Sequence, residues 1–181
     1  IHPDGQHPTP SRHVPVGDLA CLTRTVDHLT EANRQGWGAY VAIATRKTNL
    51  GRWRRGGLDD LLALPALFVD VDDPSPDTLA RLQTMCPTPS CITFTTGGFH
   101  AYWWLRTSLT DFHLARHLLH ALAAKLGGDR LSPAQSLRLP QTRNTKPQRG
   151  NALCKMVVLQ DVRYTLADFD LPSEFLLPRR S

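Results

Sequence analysis

The sequence predicts an α+β fold built on a mixed or antiparallel sheet. Helical and strand patterns are interspersed, without the regular alternation typical of a doubly wound parallel sheet. Two apolar runs, 90–96 and 99–106, are joined by Gly97 and Gly98, which is a hairpin signal. The clearest helix is 111–126. Its apolar stripe consists of Ala115, Leu118, Leu119, Leu122 and Leu126.

The first part of the chain yields the following elements in order. Residues 1–16, rich in proline and histidine, are expected to form an irregular arm ahead of a single domain over 17–181. Asp18 can cap a helix that Gly36 closes. The next elements are a strand at 39–45, a basic loop at 46–57 carrying Trp53, a short helix at 58–65, a strand at 66–71 and a helix from Ser75–Pro76 to about Met85.

The second part adds a helix and further strands. After the hairpin and the 111–126 helix, the pattern gives a loop at 127–135, a short strand at 136–140, a polar basic loop at 141–151 and a strand at 153–160. Three histidines of the helix fall opposite its apolar stripe and are expected to face solvent; they are His113, His117 and His120.

Composition favours a globular protein with a polyanionic partner. Of the 181 residues, 41% are hydrophobic and 20% charged; the net charge is +5, and 17 of the 21 basic residues are arginine, which suits bidentate phosphate recognition. No apolar run reaches the ~20 residues of a membrane span, so we expect no membrane partner. The four cysteines form no CxxC pair, which favours reduced thiols in a cytoplasmic protein over a metal site. The chain begins at Ile1, and we expect it to be part of a longer protein.

Asp70 and Asp72 lie two residues apart at the end of an apolar strand. Side chains two apart share a strand face, so the two carboxylates converge while Val69 and Val71 pack on the other side. Carboxylates this close repel each other, and Mg²⁺ relieves the conflict because it prefers carboxylate oxygen. Paired metals support phosphoryl transfer. The alternative is a strand end where Asp72 and its neighbour cap the next turn.

His100 lies just beyond the glycine pair of the predicted hairpin. It shares one strand face with Tyr102 and Trp104. The glycines leave room for the phosphates of a ligand to approach the backbone, and His100 can donate to a phosphate oxygen. A hydrogen-bonded core histidine is the alternative.

A third stretch, 127–146, adds a carboxylate and several cations. Asp129 follows two glycines. After it come Arg138, Arg143, Asn144 and Lys146. These residues supply the acid and the phosphate-binding groups that a metal–nucleotide site still lacks. A surface loop with solvated charges is the alternative.

Taken in order, the three stretches resemble the archaeo-eukaryotic primase superfamily, in its branch of primase-polymerases from plasmids, phages and other mobile elements. The resemblance covers roughly 37–160. The first motif, a hydrophobic strand ending in DxD, is matched by Asp70 and Asp72. The second is matched by Thr96, Gly97, Gly98, His100, Tyr102 and Trp103. The third is matched by Asp129 and the RLPGTxNxK-like segment that follows it.

The resemblance implies a sheet like that of an RNA-recognition motif, with flanking helices and an added α/β lobe. It also implies template-directed nucleotidyl transfer, with Mg²⁺ or Mn²⁺ held by the catalytic Asp70, Asp72 and Asp129. The expected nucleotide-binding residues are Thr96, Gly98, His100, Arg138, Asn144 and Lys146. The expected partners are a single-stranded DNA template, an NTP or dNTP, and a helicase domain or protein.

Two departures from the family pattern leave every catalytic group in place. Gln141 stands where the family usually has glycine, and Thr95–Thr96 stand where a serine is more usual. The alternative function is a catalytically silent single-stranded DNA-binding module that recruits a replicative helicase. A pure binder gains nothing from repelling acids in a phosphate-binding cleft, so the carboxylates favour the enzyme. A relaxase-type nicking enzyme needs a His-x-His pair, and the sequence contains none.

Overall fold

The computed structural model describes residues 10–48, 50–51 and 53–170. Its helices are α1 (Leu19–Arg34), α2 (Pro76–Thr84) and α3 (Phe112–Leu126). Its strands are β1 (Tyr40–Ala42), β2 (Thr45–Arg46), β3 (Leu61–Val71), β4 (Cys91–Phe94), β5 (Phe99–Leu109), β6 (Ser136–Arg138), β7 (Lys155–Leu159) and β8 (Arg163–Tyr164). The predicted α+β class is confirmed. No helix in the described part of the chain is long and apolar enough to cross a membrane.

A mixed six-stranded sheet forms the centre of the described chain. The strand order is β2-β3-β5-β4-β7 with antiparallel neighbours, and β8 pairs with β5 in parallel. β1 and β6 form a separate antiparallel pair. Together with α1 this pair makes up the added α/β lobe that the sequence predicted.

The long pairing of β3 with β5 lies at the core. Phe68 and Trp103 on these strands are almost completely buried, and α3 packs against β3. Asp111 caps α3 by accepting hydrogen bonds from the backbone N–H groups of His113 and Leu114. The buried residues of α3 include the whole predicted stripe: Ala115, Leu118, Leu119, Leu122 and Leu126.

Residues 58–65 were predicted as a short helix, and this prediction is wrong. Only Leu58–Asp60 form a turn of 3₁₀ helix, and β3 begins at Leu61 and runs through Pro65. Proline has no N–H to give to a sheet, and the register of β3 with β5 shifts between Leu64 and Ala66, which accommodates it. An apolar run such as LLAL is compatible with a helix or a strand. Its pairing with strands that are distant in sequence determines that it forms a strand.

The predicted strand at 39–45 is two strands. β1 pairs with β6, whereas β2 pairs with β3 in the larger sheet. The bend between them leads the chain from the added α/β lobe, here called the small lobe, into the central sheet. Of the predicted arm 1–16, residues 1–9 lie outside the described residues, and 10–16 form neither helix nor strand.

Candidate active site

Asp70 and His100 face each other across the β3–β5 pair. They are register partners, and His100 Nε2 lies 3.5 Å from Asp70 Oδ1. The histidine is 5% exposed. The hydroxyl of Tyr102 lies 3.4 Å from His100 Nδ1, and burial raises the pKa of Tyr102, so the hydroxyl keeps its proton and can donate to Nδ1.

The turn that leads into β5 falls one residue earlier than the predicted glycine pair. Thr95 N–H donates to the Gly98 carbonyl at 2.9 Å, which leaves Thr96 and Gly97 as the turn residues. Thr96 has a φ of 69°, a left-handed conformation unfavourable for a β-branched residue. The buried Asn144 amide donates to the Thr95 carbonyl at 2.7 Å and to Thr96 Oγ1 at 3.2 Å. Asn144 therefore holds the strained turn in place.

Gly98 is required by a close approach of two backbones. A Cβ at this position would lie 1.9 Å from the Val71 carbonyl oxygen and 2.9 Å from Asp72 Cα. Only glycine lets β5 begin directly against the end of β3. Gly98 therefore fixes the position of Asp72.

Asp129 reaches Asp70 through its backbone. Its N–H donates to the Asp70 carbonyl at 2.8 Å. Gly128 permits this contact, because a Cβ there would lie 2.4 Å from Val69 Cγ2 and 2.7 Å from that same carbonyl oxygen. The exposed Asp129 side chain is not part of the cleft wall. Within residues 10–48, 50–51 and 53–170, no three His, Cys, Asp or Glu side chains are grouped to hold a metal. The three-acid site therefore stays a prediction.

One polar cleft of about 160 Å³ brings most of the predicted site residues together. Its wall consists of Tyr40, Asp70, Asp72, Thr95, Gly97, His100, Gln135, Ser136, Leu137, Arg138, Asn144, Lys146 and Arg149. Thr96 and Gly98 lie in the adjoining turn rather than in the wall. Three arginine and lysine side chains and one histidine face two carboxylates here, a balance that suits an anionic ligand accompanied by cations.

Arg138 presents an unpaired donor in this cleft. The residue is 4% exposed; its Nη2 donates to the Tyr40 hydroxyl at 2.9 Å, and its guanidinium lies 4.8 Å from the centre of the Tyr40 ring. Its buried Nη1 has no hydrogen-bond partner among the described residues. A buried N–H left unpaired is costly, so this atom is suited to an oxygen of a bound anion.

Two cationic side chains complete the wall beside the Thr96–Gly97 turn. The guanidinium of Arg149 occupies the space a Cβ on Gly97 would need, since that Cβ would lie 2.5 Å from Arg149 Cζ. The backbone N–H of Lys146 donates to Asn144 Oδ1 at 3.3 Å. Arg143, in contrast, is not part of the wall.

Sequence reasoning did not single out Tyr40 or Arg149 as site residues. For Arg149 the signal was the basic composition of 141–151, which does not distinguish one cation from another. Tyr40 carried no signal, because only the distant pairing of β1 with β6 places it opposite Arg138.

Comparisons with known proteins support the fold. No protein-family model and no curated protein sequence matches the chain. Among solved structures, the AEP domain of the primase-polymerase of cyanophage S-2L matches with a TM-score of 0.60 and 19% identity, over 83% of this chain and 74% of that one. Primase RepB′ matches with a TM-score of 0.61 and 16% identity, over 87% of this chain and 48% of that one.

The catalytic domain of primase RepB′ in complex with initiator DNA also matches. Its TM-score is 0.61 and its identity 16%, over 91% of this chain and 80% of that one. At these identities the likeness shows the fold. The fold that the resemblance implied is therefore confirmed.

Proposed function

We propose that this chain is a DNA primase-polymerase, a template-directed nucleotidyltransferase that joins nucleotides on single-stranded DNA for primer synthesis in replication. The observation that carries the proposal is the cleft itself. Asp70 and Asp72 share it with His100, Arg138 and Lys146 on a primase-like fold. Acids and phosphate-binding cations in one small cleft are what a metal–triphosphate complex requires.

The donor groups fit Mg²⁺ or Mn²⁺. Both are hard cations that prefer carboxylate oxygen, which Asp70 and Asp72 supply in the wall of the cleft. We propose Asp129 as the third ligand, since its backbone is anchored to Asp70. Bound ions would activate the attacking hydroxyl and stabilise the charge of the leaving pyrophosphate.

The remaining residues are proposed to hold the triphosphate. The Nε2–H of His100 and the unpaired Nη1 of Arg138 would donate to phosphate oxygens, and Lys146 and Arg149 would add charge. In the reaction, the primer 3′-oxygen bonds to the α-phosphorus as the bond to pyrophosphate breaks. Asn144 acts as a positioning residue because it holds both the Thr96 turn and the Lys146 backbone.

The proposed partners are a single-stranded DNA template, an NTP or dNTP, and a helicase domain or protein. Support for the template comes from the RepB′ catalytic domain, which was solved in complex with initiator DNA. We propose that the chain acts in the cytoplasm, in the same compartment as its DNA template.

A silent single-stranded DNA-binding module that recruits a helicase is the second candidate. One observation favours it: the exposed Asp129 side chain lies outside the cleft wall. The two candidates differ in chemistry rather than in DNA binding.

Template-directed synthesis separates these candidates. With Mg²⁺ or Mn²⁺ and a primed homopolymer template, the chain should incorporate the complementary labelled nucleotide and exclude the other three. Incorporation without regard to the template would instead indicate untemplated transfer. Tight DNA binding with no incorporation of NTP or dNTP would favour the silent module.

A further inference from the structure

A second and larger cavity lies beside the catalytic cleft. Its volume is about 570 Å³, which falls within the ~300–1,000 Å³ typical of small-ligand sites. It lies between α1, the 10–13 segment and the loop that carries Trp53. The cleft, at about 160 Å³, is small by comparison. None of the catalytic roles proposed above uses this cavity.

Two hydrogen bonds fasten the 10–13 segment over the cavity. Arg12 Nη2 lies 3.0 Å from His28 Nε2 on α1, and His13 Nε2 lies 2.8 Å from the Arg54 carbonyl oxygen. On the opposite side, Arg46 donates to three backbone carbonyls, including that of Ala134. Side chains from three separate stretches of chain, the 10–13 segment, α1 and β2, therefore tie the walls together.

The cavity is electropositive. Arg12, Arg46 and Arg55 all line it, whereas its single acidic residue is Glu31. A hydrogen bond from Arg34 lowers the pKa of Glu31, and the two side chains form an ion pair at 3.0 Å, so this acid is already neutralised by a partner outside the cavity. The excess of arginine favours an anionic occupant.

The cavity also offers aromatic surface. Three of its lining residues are Trp37, Tyr40 and Trp53. Trp53 is 56% exposed, so part of its ring is accessible to a ligand. Aromatic faces next to arginine are the groups on which unpaired bases stack in single-stranded nucleic acid sites.

The two sites share a wall. Tyr40, Gln135 and Ser136 line both the cavity and the catalytic cleft. Tyr40 also accepts a hydrogen bond from Arg138, the cleft residue with the unpaired N–H. An occupant of the cavity would therefore touch a residue that positions Arg138.

We infer that this cavity is a second nucleotide site, separate from the catalytic cleft, with the base against Trp53 and Trp37 and the phosphate toward Arg12 and Arg55. The source of the nucleotide is either a free nucleotide or an unpaired residue of a DNA strand. The chemistry that recognises it is the same in both cases. The inference goes beyond the proposed polymerase activity, because it concerns binding without turnover.

Binding in EDTA tests the site independently of catalysis. Deoxyadenosine monophosphate and a twelve-residue oligothymidylate are titrated by calorimetry against the wild-type chain, Trp53→Ala and the control Leu62→Ala. Leu62 is also 56% exposed but does not line the cavity. We expect Trp53→Ala to weaken binding about five-fold or more, the effect of removing a stacking aromatic residue, and Leu62→Ala to change nothing.

The charge is tested in the same way. Arg55→Gln should weaken binding and flatten its salt dependence, whereas Arg163→Gln on exposed β8 should not. If Trp53→Ala weakens both ligands, the site takes free nucleotides; if it weakens the oligonucleotide alone, the site takes a strand. The inference would be overturned if Trp53→Ala bound both ligands as tightly as Leu62→Ala does. It would also be overturned if inorganic phosphate displaced each ligand equally well from the wild-type chain and from Trp53→Ala, because the base would then contribute nothing at this site.

Discussion

Two residues of the segments that resemble the primase family adopt a backbone conformation that favours glycine. Thr96 has a φ of 69° and Gln141 a φ of 63°. A non-glycine residue in this region costs on the order of 1–3 kcal/mol. For Thr96 the strain coincides with hydrogen bonds from Asn144 to the turn. The backbone N–H of Gln141 donates to the Cys154 carbonyl at 2.9 Å, and its side chain has no hydrogen bond to the residues that the structure describes.

Replacing Gln141 by glycine should therefore stabilise the protein. We expect Gln141→Gly to raise the free energy of unfolding by about 1 kcal/mol, because the left-handed strain is relieved. The melting temperature should rise by about 2–4 °C. The control is Gln148→Gly, in a 3₁₀ turn without positive φ, which should not stabilise. Urea denaturation measures both, and a loss of stability in Gln141→Gly would contradict the strain argument.

The sequence singled out Gln141 through the family resemblance, without predicting strain there. Gln141 was identified as a departure from a family glycine, and its observed φ is the kind that glycine adopts most easily. The Thr96 strain could not be predicted. The glycine pair matched the residues that two-residue hairpin turns prefer. The hydrogen bonds of Asn144 to residues 95 and 96, which hold the turn one position earlier, come from a residue distant in sequence.

At the level of elements, the first turn of α2 is stabilised by the carboxylate of Asp73 as well as by its N-cap residue, Ser75. Ser75 Oγ accepts a hydrogen bond from Thr78 N–H, as the sequence predicted. Asp73 accepts from the backbone N–H and the hydroxyl of Ser75 and from the Thr78 hydroxyl. These bonds lower the pKa of Asp73, with the one from Thr78 contributing most.

This cap should make the stability of the protein depend on pH. Since the pKa of Asp73 is lower in the folded state, its stabilisation is complete above the unfolded value near 3.8 and is lost as the pH falls through the folded value. Asp73→Asn should therefore lower the melting temperature more at pH 7 than at pH 3, where part of the stabilisation by the ionised carboxylate is already lost. Thermal unfolding at both pH values checks this, with Asp161→Asn in an exposed loop as the control. A pH-independent effect of Asp73→Asn would refute the capping role.

The junction of β3 and β5 should not tolerate a methyl group. Gly98→Ala would place a Cβ against Val71 and Asp72, and we expect it to cost about 1–3 kcal/mol of stability. Gly57→Ala is the control, because a Cβ on Gly57 meets nothing within 4 Å. Denaturation and nucleotide incorporation are both measured. We expect Gly98→Ala to reduce incorporation even where it is fully folded; unchanged incorporation would show that the junction does not position Asp72.

The helices and strands that could be predicted are those whose sequence pattern involves residues only a few positions apart. The α3 stripe and the start of α2 at Ser75–Pro76 follow from residues a few positions apart, and the structure contains both. The run at 58–65 has no such signal. Its strand conformation depends on β2 and β5, which are distant in sequence, and so does the division of 39–45 between two sheets.

At the scale of the whole molecule, the cleft is assembled from segments far apart in the chain. Tyr40 comes from β1, Asp70 from β3, His100 from β5, Arg138 from β6 and Arg149 from a later loop. The motif resemblance predicted the three middle residues. The first and last could not be predicted, because their place follows only from how the small lobe and the 141–151 loop pack against the central sheet.

Single-turnover primer extension tests the central claim most directly. Wild type, Asp70→Asn and Asp77→Asn are compared on primed single-stranded DNA with Mg²⁺ or Mn²⁺, after circular dichroism shows equal folding. Asp77 is an exposed residue of α2 outside the cleft. We expect templated extension by wild type and Asp77→Asn, and a loss of at least about a hundred-fold in Asp70→Asn, in line with removing a group that holds catalytic metal. Extension by Asp70→Asn at the wild-type rate would contradict the assignment of the cleft as a polymerase active site.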